Sequence, residues 1–98
     1  MTIEIKKNAE TATICVAGRL DTTSAPALDK AINEDILDVK NLILDIKDVD
    51  YISSAGLRVL LSAQKRMQKT GSMKVVNVCK TVMDVFEMTG FADILVIE

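Results

Sequence analysis

Histidine is absent from this 98-residue chain, tryptophan is absent too, and aromatic side chains make up only 3%. Without histidine there is no Ser-His-Asp triad, no common zinc site and no phosphohistidine carrier. With few aromatics, a net charge of −2 and no basic run, nucleic-acid binding lacks both its stacking and its electrostatic component. Apolar runs such as Val59-Leu60-Leu61 are far too short to span a membrane. Met1–Lys7 carries charges where a signal peptide needs its apolar stretch, so the chain is expected to stay in the cytoplasm. The two cysteines, Cys15 and Cys79, form no Cys-x-x-Cys pair and read as buried small hydrophobes. Nothing in the pattern calls for a cofactor.

What is present is a core. Hydrophobic residues make up 49% of the chain, which excludes general disorder, and the length suits one domain covering residues 1–98. Thr2–Lys7 alternates as a strand, Asn8-Ala9-Glu10 turns, and Thr11–Ala17 returns as a second strand ended by Gly18. Asp21-Thr22-Thr23-Ser24 supplies capping candidates ahead of Pro26. Leu28, Ile32 and Ile36 then mark one face of a helix ending near Leu37.

Asn41–Ile46 is a nearly continuous apolar run and predicts a central strand covered on both faces. Leu57, Leu60, Leu61, Gln64 and Met67 form the stripe of a second helix, with Arg58, Lys65, Arg66 and Lys69 on its wetter side and Thr70-Gly71 stopping it. Lys74–Val78 predicts another buried strand. Val82, Val85 and Phe86 predict a short helix ending at Gly90, and Ile94–Ile97 a closing strand or extended tail. The expected architecture is a single α/β domain: a mixed sheet of four to five strands, made from an N-terminal hairpin plus right-handed parallel crossovers, with three or more helices.

Two adjacent hydroxyls precede the second helix. With the N-cap at Ser53, Ile52 falls at N′ and Leu57 at N4, the spacing of a hydrophobic staple. Ser53 then accepts a first-turn N–H, contributing about 1 kcal/mol. Ser54 becomes the first helical residue, its hydroxyl directed towards solvent. Three readings follow. Both serines simply start a helix, or Ser54 is a phosphorylation switch at a terminus that tolerates negative charge, or Ser54 is a nucleophile. The third has no histidine to serve as its base. Ala55 and Gly56 leave the first turn uncluttered for an approaching protein.

Asp21, Asp45, Asp48 and Asp50 are expected at or beyond strand ends, as turn and capping residues. A divalent-metal site among them has no recognisable loop spacing. Of Met67, Met83 and Met88, at least two are expected to fill core.

Three stretches in order carry a resemblance. They are Gly18-Arg19-Leu20-Asp21 with Ala25-Pro26-Ala27-Leu28; Leu42–Asp45 leading into Asp48-Val49-Asp50-Tyr51-Ile52-Ser53-Ser54-Ala55-Gly56-Leu57; and Val76-Asn77-Val78 continuing to Phe86–Phe91. Over essentially its whole length the chain resembles a STAS domain of the stand-alone anti-sigma factor antagonist kind. The resemblance implies a regulatory binding protein rather than an enzyme. In that family an anti-sigma factor serine kinase phosphorylates the serine that matches Ser54, and a serine phosphatase resets it. Unphosphorylated antagonist binds the kinase and frees the sigma factor. The matching contact residues are Asp21, Ser53, Ala55, Gly56 and Leu57. Many members carry aspartate just before the phosphoserine and a hydroxyl just after; Ser53 and Ala55 stand there instead. A STAS binding module without a phosphoswitch, such as an accessory subunit of a transporter complex, shares the same fold and serine turn.

Overall fold

The computed structural model describes residues 1–36 and 38–98. Strands β1 (Thr2–Asn8) and β2 (Thr11–Leu20) form the hairpin. Helix α1 (Ala25–Lys30) runs into a π-helical turn at Ala31–Asp35, and the expected end at Leu37 lies outside the described residues. Strand β3 (Asn41–Ile52), helix α2 (Ser54–Thr70), strand β4 (Ser72–Val76) and helix α3 (Lys80–Thr89) complete the elements, with a 3-10 turn at Phe91–Asp93. The sheet order is β1-β2-β3-β4, antiparallel in the hairpin and parallel thereafter. The closing segment pairs only once, Ile97 with Val75, so it is an extended tail rather than a fifth strand.

All three helices cover one face of this sheet. Ala12, Ile14 and Val16 of β2, Leu42, Leu44 and Ile46 of β3, and Met73 and Val75 of β4 share one buried cluster with Leu28, Ile32, Leu57, Leu60, Met67, Val82 and Phe86. The alternate positions Thr13, Cys15, Ile43, Asp45, Lys74 and Val76 are only half-buried. The central strand is therefore covered on one face, not two. Parity explains it: strand neighbours point to opposite sides, and among the described residues no helix lies on the second side. Cys15 is accordingly half-buried; Cys79, the N-cap of α3 and outside the sheet, is half-buried too, its thiol donating to the Val49 carbonyl oxygen at 3.3 Å. Met67 is core, Met83 packs against it, and Met88 is 85% exposed.

Two strands outrun their sequence signals. Gly18 does not end β2; at φ +106° it sits beside a register shift, and the strand continues to Leu20. An extra β3 residue is inserted there, because Gly18 pairs with Val49 but Arg19 with Tyr51. A second shift lies between Cys15 and Ala17. Such bulges bend and twist the strand that carries them. They also change the spacing of buried β3 residues from two to three, as Leu42, Leu44 and Ile46 give way to Val49 and Ile52. Asp45, Asp48 and Asp50 thus lie inside β3, not at its end. At β4 the ladder stops at Val76, because Asn77 turns into the left-handed region at φ +60°.

Candidate functional site

Parallel strands β2 and β3 end side by side, Leu20 paired with Ile52, so the segments that follow them emerge on one rim. Loops and helix starts at the carboxyl ends of parallel strands are the usual place for function in such sheets. The Ser53 N–H donates to the Leu20 carbonyl oxygen at 2.9 Å, tying the start of α2 to the end of β2.

At that start the two serines part. Ser53 has an extended backbone (φ −96°, ψ 175°), its carbonyl accepts from Leu57 N–H at 2.9 Å, and its hydroxyl accepts from Gly56 N–H at 3.4 Å. It is half-buried and is the N-cap. Ser54 is exposed at the first helical position, and no acidic residue shares its turn. Ala55 is half-buried. Gly56 and Leu57 are buried, so they support the surface from beneath. A Cβ on Gly56 would come within 2.8 Å of Leu20 Cγ and 2.9 Å of Ile52 Cγ1 and the Leu20 carbonyl oxygen. Only glycine lets α2 settle this close to the strand ends.

Asp21 begins the neighbouring loop. Its Oδ1 accepts from Thr23 N–H at 3.0 Å and Ser24 N–H at 3.1 Å, and its carbonyl accepts from Ala25 N–H at 2.8 Å. Asp21, rather than Ser24, therefore caps this turn. The Ser24 hydroxyl donates to the Arg19 carbonyl oxygen at 2.6 Å and accepts from Asp21 N–H at 2.9 Å. The N–H of Ser24 above all, with the Ser24 hydroxyl and Arg19 adding to it, holds the Asp21 carboxyl below its ordinary value. Among the described residues, no group of three or more acidic or cysteine side chains is placed to hold a metal ion.

Between the two starts lies a groove of about 480 Å³, lined by Thr22, Ala25, Pro26 and Asp29 on one side and Ala55, Arg58 and Val59 on the other. Beside it, the Arg19 guanidinium stacks over the Tyr51 ring at 4.0 Å and lies 3.6 Å from Asp21 Oδ2. This pair escaped the sequence reading because its adjacency depends on the bulged register. Arg66, expected on the wet side of α2, is instead half-buried and donates to the carbonyl oxygens of Ile32 and Ile36.

The sequence model of the STAS domain matches residues 2–98. The chain belongs to that family. The anti-sigma-B factor antagonist of Bacillus subtilis is 31% identical over 94 residues, covering 95% of this chain and 86% of that protein. Among solved structures, an anti-sigma factor antagonist from Mycobacterium paratuberculosis superposes with a TM-score of 0.88 at 24% identity, covering 98% of this chain and 83% of its own. The Bacillus cell fate determinant SpoIIAA in the phosphorylated form gives 0.77 at 19% identity, covering 99% and 91%. Among the described residues of this STAS domain, no helix is long and apolar enough to cross a membrane.

Proposed function

We propose that this STAS domain is an anti-sigma factor antagonist switched by phosphorylation of Ser54. The observation that carries the reading is the division of labour between the two serines: Ser53 is committed to the cap, and Ser54 presents its hydroxyl to solvent. The similarity to curated antagonists supports an anti-sigma factor as the partner class; that this factor is also a serine kinase is part of the proposal. Asp21, Ser53 and Ala55 form the contact surface around Ser54, with Gly56 and Leu57 shaping it from below. The domain acts by binding and is not itself an enzyme.

The chemistry belongs to the partners. The kinase directs Ser54 Oγ onto the γ-phosphorus of ATP, forming the Oγ–P bond and breaking the bond to the bridging oxygen of ADP. The hydroxyl proton passes to a base on the kinase. A serine phosphatase returns the hydroxyl by attack of water on the phosphoester.

Phosphate adds about −1.5 to −2 charge. At the start of α2 the helix terminus offsets roughly 0.3–1 kcal/mol of its cost, so the fold persists. Inside a closed interface an uncompensated charge costs on the order of 2–5 kcal/mol. At about 1.4 kcal/mol per decade, binding weakens by tens to thousands of times. The interface loses more than the fold does, so phosphate is a release signal without refolding.

The test is phosphorylation by an anti-sigma serine kinase of the same genome, with phosphate located by mass spectrometry and affinity measured before and after. The expected result is one phosphate on Ser54, abolished by Ser54→Ala, and weaker binding of the phosphoprotein. Equal affinity of the two forms, or no phosphate at Ser54, overturns the proposal.

A further inference from the structure

The chain has three arginines, and two are already engaged. Arg19 is held by Tyr51 and Asp21, and Arg66 by the carbonyls of Ile32 and Ile36. Arg58 is exposed and, among the described residues, makes neither a hydrogen bond nor an ion pair. It stands four positions after Ser54 on the same helix, on the same outward stripe as exposed Ser62. Residues four apart on a helix are surface neighbours, with Cβ atoms about 5–6 Å apart. Helical side chains lean towards the N-terminus, so the Arg58 stem lies over the turn that Ser54 opens. The order is also the favourable one, anion first and cation after.

We propose that Arg58 is the built-in counter-ion of a phosphate on Ser54, an inference that rests on the switch at that residue. A guanidinium presents a planar fork that matches two phosphate oxygens, and it stays charged at any pH of interest. The other charged groups around it are Asp29 on α1, which lines the same groove, and Asp21 with Arg19 at the neighbouring rim. Asp29 already accepts from Asn33 Nδ2 at 3.0 Å and is not within ion-pair distance of Arg58. A doubly charged phosphate one helical turn away competes for the guanidinium more strongly than one carboxylate across a groove. Pairing draws Arg58 from the groove rim towards Ser54, so phosphorylation also removes the groove's cation.

The experiment needs no kinase. Phosphoserine is incorporated at position 54 during translation, and the phosphate is titrated by phosphorus NMR through its second ionisation near pH 6. Arg58→Gln is expected to raise that midpoint by about 0.3 pH unit, a twofold change in the acid constant, the scale of one exposed helical ion pair. Arg58→Lys should restore part of the shift, while Lys65→Gln, farther along the helix, should leave the midpoint unmoved. An Arg58→Gln midpoint equal to that of the unsubstituted phosphoprotein, or the same rise with Lys65→Gln, overturns the pairing. A kinase that ignores Ser54 would sink the switch and leave this titration intact; a midpoint unmoved by Arg58→Gln would do the reverse.

Discussion

Helices α1 and α2 begin side by side on one rim, and they are started by different physics. At α2 the work is done from below: Ile52, Gly56 and Leu57 are buried, and one hydroxyl bond at 3.4 Å completes the cap. At α1 a polar network does it, with Asp21 and Ser24 meeting four backbone groups between them. Pro26 sits in the first turn, where its missing N–H leaves no intrahelical bond unmade. The comparison shows why a serine before a helix is a poor guide alone. Ser24 and Ser53 occupy the same formal position, yet only at Ser53 does the hydroxyl accept a helix N–H. A start held by packing leaves its first exposed hydroxyl idle, and that is what a modification site needs.

The difference is most easily broken at Gly56. Gly56→Ala puts a methyl within 3.0 Å of two side chains and a backbone carbonyl that cannot easily retreat. A loss of about 2–3 kcal/mol is expected, a fall in melting temperature of at least roughly 8 °C. Ala27→Ser, exposed in the first turn of α1, should change stability by no more than about 0.5 kcal/mol. Thermal unfolding of the two variants decides it. If Gly56→Ala melts with the parent protein, the start of α2 is not set by close packing.

The hydroxyls provide the next step. Ser24→Ala deletes one donor and one acceptor in a half-buried network and should cost about 1–2 kcal/mol. Ser53→Ala removes a single long bond and should cost about 0.5–1 kcal/mol. Ser53→Asp should recover that loss, since aspartate caps as well as serine and faces the positive helix end. Denaturant unfolding ranks the set; a larger cost at Ser53 than at Ser24 would invert the picture of which start depends on its side chains.

Much of this rim was legible in advance, and what was missed has physical causes. The staple spacing of Ile52 and Leu57 around Ser53 separated the two serines correctly, because capping is a local device written in four or five adjacent residues. The hairpin and the stripes of α1 and α2, including inward-facing Gln64 at 3% exposure, followed from periodicity. Val49 and Ile52 were not read as strand because bulges replace the period of two with a spacing of three. Arg66 and the Arg19–Tyr51 stack were missed for another reason: each joins distant parts of the chain, and no local pattern encodes its partner.

The smallest expected effect appears only in acid, and it separates the two starts by charge. The folded-state pKa of Asp21 lies below its ordinary value of 3.8, chiefly because the Ser24 N–H donates to the carboxylate. An acid whose pKa is lowered on folding contributes stability that is fully present above the unfolded value and is lost as pH falls through the folded one. The network at α1 should therefore weaken below pH 3.8, whereas the cap at α2, built on a neutral hydroxyl, has nothing there to titrate. Asp21→Asn keeps an acceptor oxygen but removes the ionisation, so its stability should fall less steeply through that window than the parent's. Ser53→Ala should run parallel to the parent at every pH. Denaturant midpoints taken at half-unit steps from pH 5 downward make the comparison. Equal slopes for Asp21→Asn and the parent would mean that the charge of Asp21 takes no part in holding α1, leaving its carbonyl and the Ser24 hydroxyl to do so.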